Sequence, residues 1–181
     1  MIQVYCGDGK GKTSAAVGAA VRAAGHGIPV VFAQLLKDDT SGEIEILRSI
    51  PGVAVLHAAH NFGFWKSLSE EEQRITIEEG KALLQQVQDT YHRAVRKKAD
   101  PDAQIDCLIV LDEAMAAMHA GILAESEVLD FLQTVGEQTE VILTGRNPSE
   151  RILDAADYVS EVMPRKHPYD RGVVARTGVE K

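Results

Sequence analysis

The chain has 181 residues and a mass of 19.6 kDa, with 45% hydrophobic and 25% charged residues, enough to bury one proper core. Its net charge is −8 and it carries no basic block, which argues against sequence-independent nucleic-acid binding, where Lys and Arg must neutralise phosphates. No apolar stretch approaches the roughly 20 residues that span a bilayer, and the chain opens on a strand-like run and not on a leader, so one cytoplasmic domain over 1–181, away from membranes, is expected.

Ile2–Tyr5 reads as a first strand that runs into Cys6-Gly7-Asp8-Gly9-Lys10-Gly11-Lys12-Thr13, and an Ala/Val-rich helix over 12–25 follows. At such a strand–loop–helix junction, consecutive backbone N–H groups and the helix N-terminus can wrap a phosphate. Gly7, Gly9 and Gly11 let the backbone approach it, with Asp8 and Lys10 between them. Lys12 would reach its oxygens, and the Thr13 hydroxyl would sit on Mg²⁺. The usual pattern starts with glycine where this chain has Cys6, so the loop is a variant form.

Pro29–Leu36 is expected as the second strand, 42–49 as a helix and Val53–His57 as the third strand. Asn61-Phe62-Gly63-Phe64-Trp65 then gathers the only Trp and two of the four Phe, either as a core anchor or as an apolar wall for a large flat ligand. A long helix over 69–98 has a capping pair, Ser69 and Glu72, acidic residues at its start and basic ones at its end. Ile77, Leu84, Val87, Tyr91 and Val95 give it an apolar stripe, and a polar loop around Pro101 ends it.

Asp106–Leu111 is an apolar strand ending in Asp112-Glu113, where a carboxylate can face a phosphate-bound Mg²⁺. Spacing alone does not say which of the two touches the metal. A helix over 125–136 leads to the strand Glu140–Thr144, and Gly145-Arg146 follows it; Arg146 could grip phosphate oxygens in a fork or be a solvated turn residue. A helix over 149–156 and a strand Tyr158–Met163 complete the order. This alternation predicts an α/β three-layer sandwich with a mostly parallel central sheet, and the loop places it among the P-loop NTPase (RecA-like) folds. Cys6 and Cys107 have no CxxC partner, and His57, His60, His92, His119 and His167 lack metal-ligand spacing.

These features call for a nucleoside triphosphate and Mg²⁺ but leave the broken bond open, because no residue stands out as a base to activate water or an acceptor hydroxyl. An ATP hydrolase or kinase, and a silent ATP-dependent binding module, both remain open on the residues alone.

In its loop Gly7–Thr13, in Leu111-Asp112-Glu113, in Thr144-Gly145-Arg146 and in the tail Lys166-His167-Pro168-Tyr169 with Gly172, Ala175, Gly178 and Glu180, the chain resembles the phosphate-loop ATP:corrinoid adenosyltransferases. The resemblance implies that a reduced Co(I) corrinoid attacks the 5′ carbon of ATP and releases triphosphate, with ATP lying reversed relative to other phosphate-loop enzymes. So strong a nucleophile needs no protein base. By the same resemblance Thr13 and Glu113 would hold Mg²⁺, with Asp112 beside them. Phe64 and Trp65, or Phe62 and Phe64 in another register, would face the corrinoid. A homodimer and a transient flavin-dependent electron donor are implied too. Some members carry an N-terminal cover over the site; this chain starts at its first strand, so the cover is expected to be absent or to come from a partner subunit.

Overall fold

Val, Ile and Leu fill the strands that end up in the middle of the sheet, because those strands bury both faces. The computed structural model of the protein describes residues 1–36, 41–60, 65–97 and 104–179. In chain order its elements are β1 (Ile2–Cys6), α1 (Lys12–Gly25), β2 (Val30–Gln34), α2 (Gly42–Ser49), β3 (Val53–His57) and α3 (Glu70–Lys97), then β4 (Cys107–Asp112), α4 (Ala114–His119), α5 (Glu125–Thr134), β5 (Thr139–Thr144), α6 (Glu150–Asp154) and β6 (Tyr158–Glu161). The six strands form one sheet in the order β3-β2-β4-β5-β1-β6, and every pair is parallel.

Alternation along the strands divides the core into two layers. Val30, Phe32, Leu108, Val110 and Ile142 pack with α1 and α2 through Ala16, Ala20, Ile44 and Leu47. Val31, Ala33, Ile109, Leu111, Val141 and Leu143 face the other way, against α3, α4, α5 and Ile152 of α6. The expected three-layer α/β sandwich is therefore present. The connections leaving β1 and β2 cross one face and those leaving β4 and β5 cross the other. Crevices consequently open at the C-terminal edge between β1 and β5 and between β2 and β4, where α/β sheets receive ligands.

The long helix is capped as expected. Glu72 Oε2 accepts from the Ser69 N–H at 2.8 Å, and the Glu72 N–H reaches Ser69 Oγ at 3.3 Å. Val87 and Tyr91 of the expected stripe are buried, and Leu83 joins them.

Several boundaries differ from expectation, mostly by a residue or two. β2 is shorter than Pro29–Leu36, although the Leu35 N–H still donates to Asp112 O at 3.2 Å. β4 runs one residue further, so Asp112 belongs to the strand and is completely buried. β6 stops at Glu161, and as an edge strand all four of its residues are exposed, unlike a doubly covered strand. α4 was not expected at all: Ala114-Met115-Ala116-Ala117-Met118-His119 has no polar face to mark it as a helix. Phe62, Phe64, the loop around Pro101 and Glu180 lie outside the described residues. Among the described residues no helix is long and apolar enough to cross a membrane.

Candidate active site

β1 delivers the glycine loop to the C-terminal edge of the sheet, and α1 starts within it at Lys12. The loop is clamped from the far end of the chain. Cys6 O accepts the Val162 N–H at 2.8 Å, and Val162 O accepts the Gly9 N–H at 2.7 Å. A side chain at position 9 would put Cβ 2.7 Å from Val162 O and 2.8 Å from its Cγ1, so the clamp demands glycine there. Gly9→Ala is expected to push β6 off the loop. ATP affinity should fall tenfold or more and stability by about 1–3 kcal/mol, to be read by titration calorimetry and thermal melts.

Lys12 Nζ donates to Gly7 O at 2.6 Å and to Gly9 O at 2.8 Å, which holds its charge over the loop. Burial lowers the pKa of this ammonium, and the Arg146 guanidinium lowers it further; Glu113 and Asp8 pull the other way. An anion arriving here relieves the crowding of positive charge. Arg146 lies across the mouth, its Nε 3.6 Å from Asp8 Oδ1, both side chains about two-thirds exposed. That pair contributes little on its own, so the guanidinium can be recruited by a stronger anion.

Two strand ends and the first turn of α1 build the floor. Asp112 Oδ1 accepts the hydroxyls of Thr13 at 2.9 Å and of Thr144 at 2.7 Å, while Thr144 Oγ1 accepts the Glu113 N–H at 2.9 Å. Residue 113 is thereby turned into the left-handed region (φ 62°), which ends β4 and starts α4. Beside it Gly145 has φ 148°, and a Cβ there would lie 2.6 Å from Met115 Cβ, so β5 and α4 meet only through glycine.

Thr13 and Asp112 supply hard oxygens at one point, and the Glu113 carboxylate lies near enough to act on Lys12; this is the donor chemistry that suits Mg²⁺ with phosphates completing its shell. Among the described residues no three His, Cys, Asp or Glu side chains gather as a metal cluster, and a hydroxyl–carboxylate–phosphate site does not require one. The expected residues Lys12, Thr13, Asp112, Glu113 and Arg146 stand at this end of the sheet, with Asp8 paired to Arg146. Sequence reasoning passed over the role of Thr144, whose signal was a polar residue closing an apolar strand.

Trp65 belongs to a different part of the chain, beside α3. It opens a short 3-10 turn (Trp65–Ser67), is half-buried, and packs on the core layer shared with α3. Phe64 lies outside the described residues. On the loop's outer side, an open groove of about 580 Å³ is lined by Lys10, Arg165, Lys166, His167 and Arg176 among others. That concentration of cationic side chains stands out in a chain of net charge −8. Cys6 and Cys107 are buried free thiols; burial pushes the Cys107 thiol up to about 12, leaving it inert.

Residues 1–180 match the family model described as ATP:corrinoid adenosyltransferase BtuR/CobO/CobP. The "Corrinoid adenosyltransferase" of Escherichia coli (strain K12) is 35% identical over 181 residues, covering 99% of this chain and 85% of that protein. The "Corrinoid adenosyltransferase CobA" of Salmonella typhimurium is 35% identical with the same shares covered. The "Corrinoid adenosyltransferase" of Pseudomonas aeruginosa is 32% identical over 99% of this chain and 83% of its own length.

Proposed function

The chain belongs to the ATP:corrinoid adenosyltransferase BtuR/CobO/CobP family, and from that premise we propose how its residues carry out adenosyl transfer from ATP to a Co(I) corrinoid. The electron pair of Co(I) forms a bond to C5′ of the ribose. The C5′–O bond breaks, its electron pair leaves on the triphosphate oxygen, and cobalt ends formally as Co(III). The protein's tasks are to hold two bulky reactants in line and to stabilise the departing negative charge.

The observation that carries this reading is the meeting of Lys12, Thr13, Asp112 and Thr144 at one sheet edge, where an ammonium, a helix start and a buried carboxylate converge on the phosphate loop. Lys12 and the loop amides around Gly7, Asp8, Gly9, Lys10 and Gly11 hold the phosphates, and Arg146 exchanges Asp8 for a phosphate oxygen. Asp112 fixes the Thr13 hydroxyl, and with Glu113 these residues would hold Mg²⁺. When bound, that ion neutralises charge on the triphosphate. The chain 1–181 acts as one domain, a reading supported by its single sheet and by the family match over 1–180.

We further place Phe64 and Trp65 on the corrinoid side, the protein as a homodimer in the cytoplasm, and a flavin-dependent reductant as the source of Co(I). Two unpaired thiols suit the reducing setting that Co(I) needs.

The groove of Lys10, Arg165, Lys166 and Arg176 is read as the seat for the far end of the triphosphate, a leaving group more highly charged than the loop alone would neutralise. The double variant Arg165→Ala/Lys166→Ala is expected to weaken product inhibition by inorganic triphosphate about tenfold, with pyrophosphate inhibition changed far less. Equal losses for both anions in inhibition assays would remove the groove from the site.

The reaction itself is tested anaerobically with purified protein, Mg-ATP and chemically reduced cobalamin. Loss of the Co(I) absorbance, a light-sensitive alkylcobalt product and one triphosphate per turnover are expected. Phosphate release with an unchanged Co(I) signal would favour a hydrolase instead.

A further inference from the structure

Gln34 is the last residue of β2, 1% exposed, and paired in register with Asp112 of β4. Residues paired across a parallel sheet share a face. Gln34, Asp112 and Thr144 therefore form a row on the α1 side of the sheet's C-terminal edge, where Thr13 also lies. Asp112 and Thr144 are tied into the site by the hydrogen bonds already described. Gln34 is only half tied. Its Nε2 donates to Glu43 Oε1 of α2 over a long 3.4 Å, and its Oε1 is a buried acceptor with no partner among the described residues.

Turning the amide over does not repair this, because a carboxylate at Glu43 accepts and cannot donate to a carbonyl oxygen. Buried polar atoms are seldom left unsatisfied, and an exception calls for a reason. Here the exception stands at the second crevice of the sheet, between β2 and β4, one strand beyond the Asp112–Thr13 pair.

We propose that Gln34 Oε1 is an acceptor held open for an O–H donor that arrives with the bound nucleotide. Two sources share that chemistry: a water on the divalent cation, or a ribose hydroxyl of the nucleoside triphosphate. Either way Gln34 extends the site past Asp112 and fixes the orientation of what binds there. The inference rests on reading this edge as the Mg-ATP site.

The test uses the full-length protein without corrinoid. Gln34→Leu removes the acceptor at similar volume; the exchange Gln34→Glu with Glu43→Gln keeps an acceptor at 34 and a donor at 43. Binding is measured with ATP, 2′-deoxy-ATP and 3′-deoxy-ATP, and with Mn²⁺ followed by its paramagnetic resonance in the presence of each nucleotide. If the donor is a metal-bound water, Gln34→Leu lowers Mn²⁺ affinity about tenfold with all three nucleotides. If it is a ribose hydroxyl, the wild type prefers ATP over one deoxy analogue by about tenfold, and Gln34→Leu erases that preference. In both cases the exchange variant restores the wild-type pattern, and Gln34→Leu without nucleotide melts close to the wild type, having lost an unsatisfied acceptor and one long hydrogen bond to Glu43. Wild-type binding of Mn²⁺ and of all three nucleotides by a folded Gln34→Leu overturns the proposal. Should Gln34→Leu fail to fold, loss of nucleotide discrimination and of metal affinity in the folded exchange variant overturns it as well. A wild type that binds no Mg-ATP would overturn the reading of the site itself, a separate result from the first two.

Discussion

Lys12→Ala is expected to lower kcat/KM for ATP by about 10²–10³-fold while leaving the far-ultraviolet circular dichroism unchanged, the scale seen when one charge-stabilising donor is removed from a preorganised site. Its Nζ is held by two loop carbonyls, so its loss removes the ammonium over the loop without touching the sheet. The pH dependence follows from its lowered pKa, caused first by burial and then by Arg146. Between that lowered value and the ordinary lysine value of 10.5, the unfolded chain binds more protons at this group than the folded one, so the stability difference between wild type and Lys12→Ala rises with pH through that window. Triphosphate binding works in the opposite sense. The bound anion favours the ammonium, so ATP affinity of the wild type should fall as pH climbs through the same window, and the affinity of Lys12→Ala should not. Parallel pH profiles for the two proteins would show that Lys12 does not meet the phosphates.

The parts of this site that could be read from the chain alone are those whose chemistry is local. Gly7 to Thr13 are contiguous, and the strand before them and helix after them are marked by their own residues. Asp112-Glu113 and Thr144-Gly145-Arg146 are each a polar stop at the end of an apolar run. What joins them is register, and register belongs to pairs of strands. Gln34 was buried inside an expected strand Pro29–Leu36, and nothing in Val-Val-Phe-Ala-Gln says that its last residue lies level with Asp112. The Val162 clamp on Gly9 spans most of the chain and has no sequence signature either. α4 is missed for a different reason. Its residues are apolar on several sides because it is packed between β5 and the core, with Ala114, Met115 and Ala117 buried, and a helix covered that way loses the periodicity by which helices are found.

This arrangement separates two jobs that one residue type could have merged. In the proposed reading the partly buried ammonium of Lys12 and the exposed Arg146 meet the phosphates from the loop side. Asp112 works from beneath, completely buried, and its two accepted hydroxyls come from different elements, α1 and β5. It thereby locks the helix that carries Lys12 to the strand that leads into Arg146. The same carboxylate fixes which way the Thr13 oxygen lone pairs point, since the Thr13 proton is committed to Oδ1.

Asp112→Asn separates the structural part of that role from the electrostatic part. An amide is close to the carboxylate in shape, and its oxygen can still accept both hydroxyls, so the melting temperature should fall by only a few degrees, in keeping with about 1 kcal/mol for weakened hydrogen bonds. The negative charge beneath the cation site is gone, however. The Mg²⁺ concentration for half-maximal rate should rise at least tenfold, and kcat should drop by about 10²-fold even at saturating Mg²⁺, because charge on the leaving triphosphate is less well neutralised. Asp112→Ala removes the acceptor altogether and strands the buried Thr144 hydroxyl, at a cost of about 1–3 kcal/mol, so it should lose stability and activity together. The informative comparison is the metal titration of Asp112→Asn against that of Glu113→Gln. If Glu113 lies directly on the metal, its variant shows the larger shift in Mg²⁺ requirement with no change in melting. If Asp112 does, the order of the two shifts reverses.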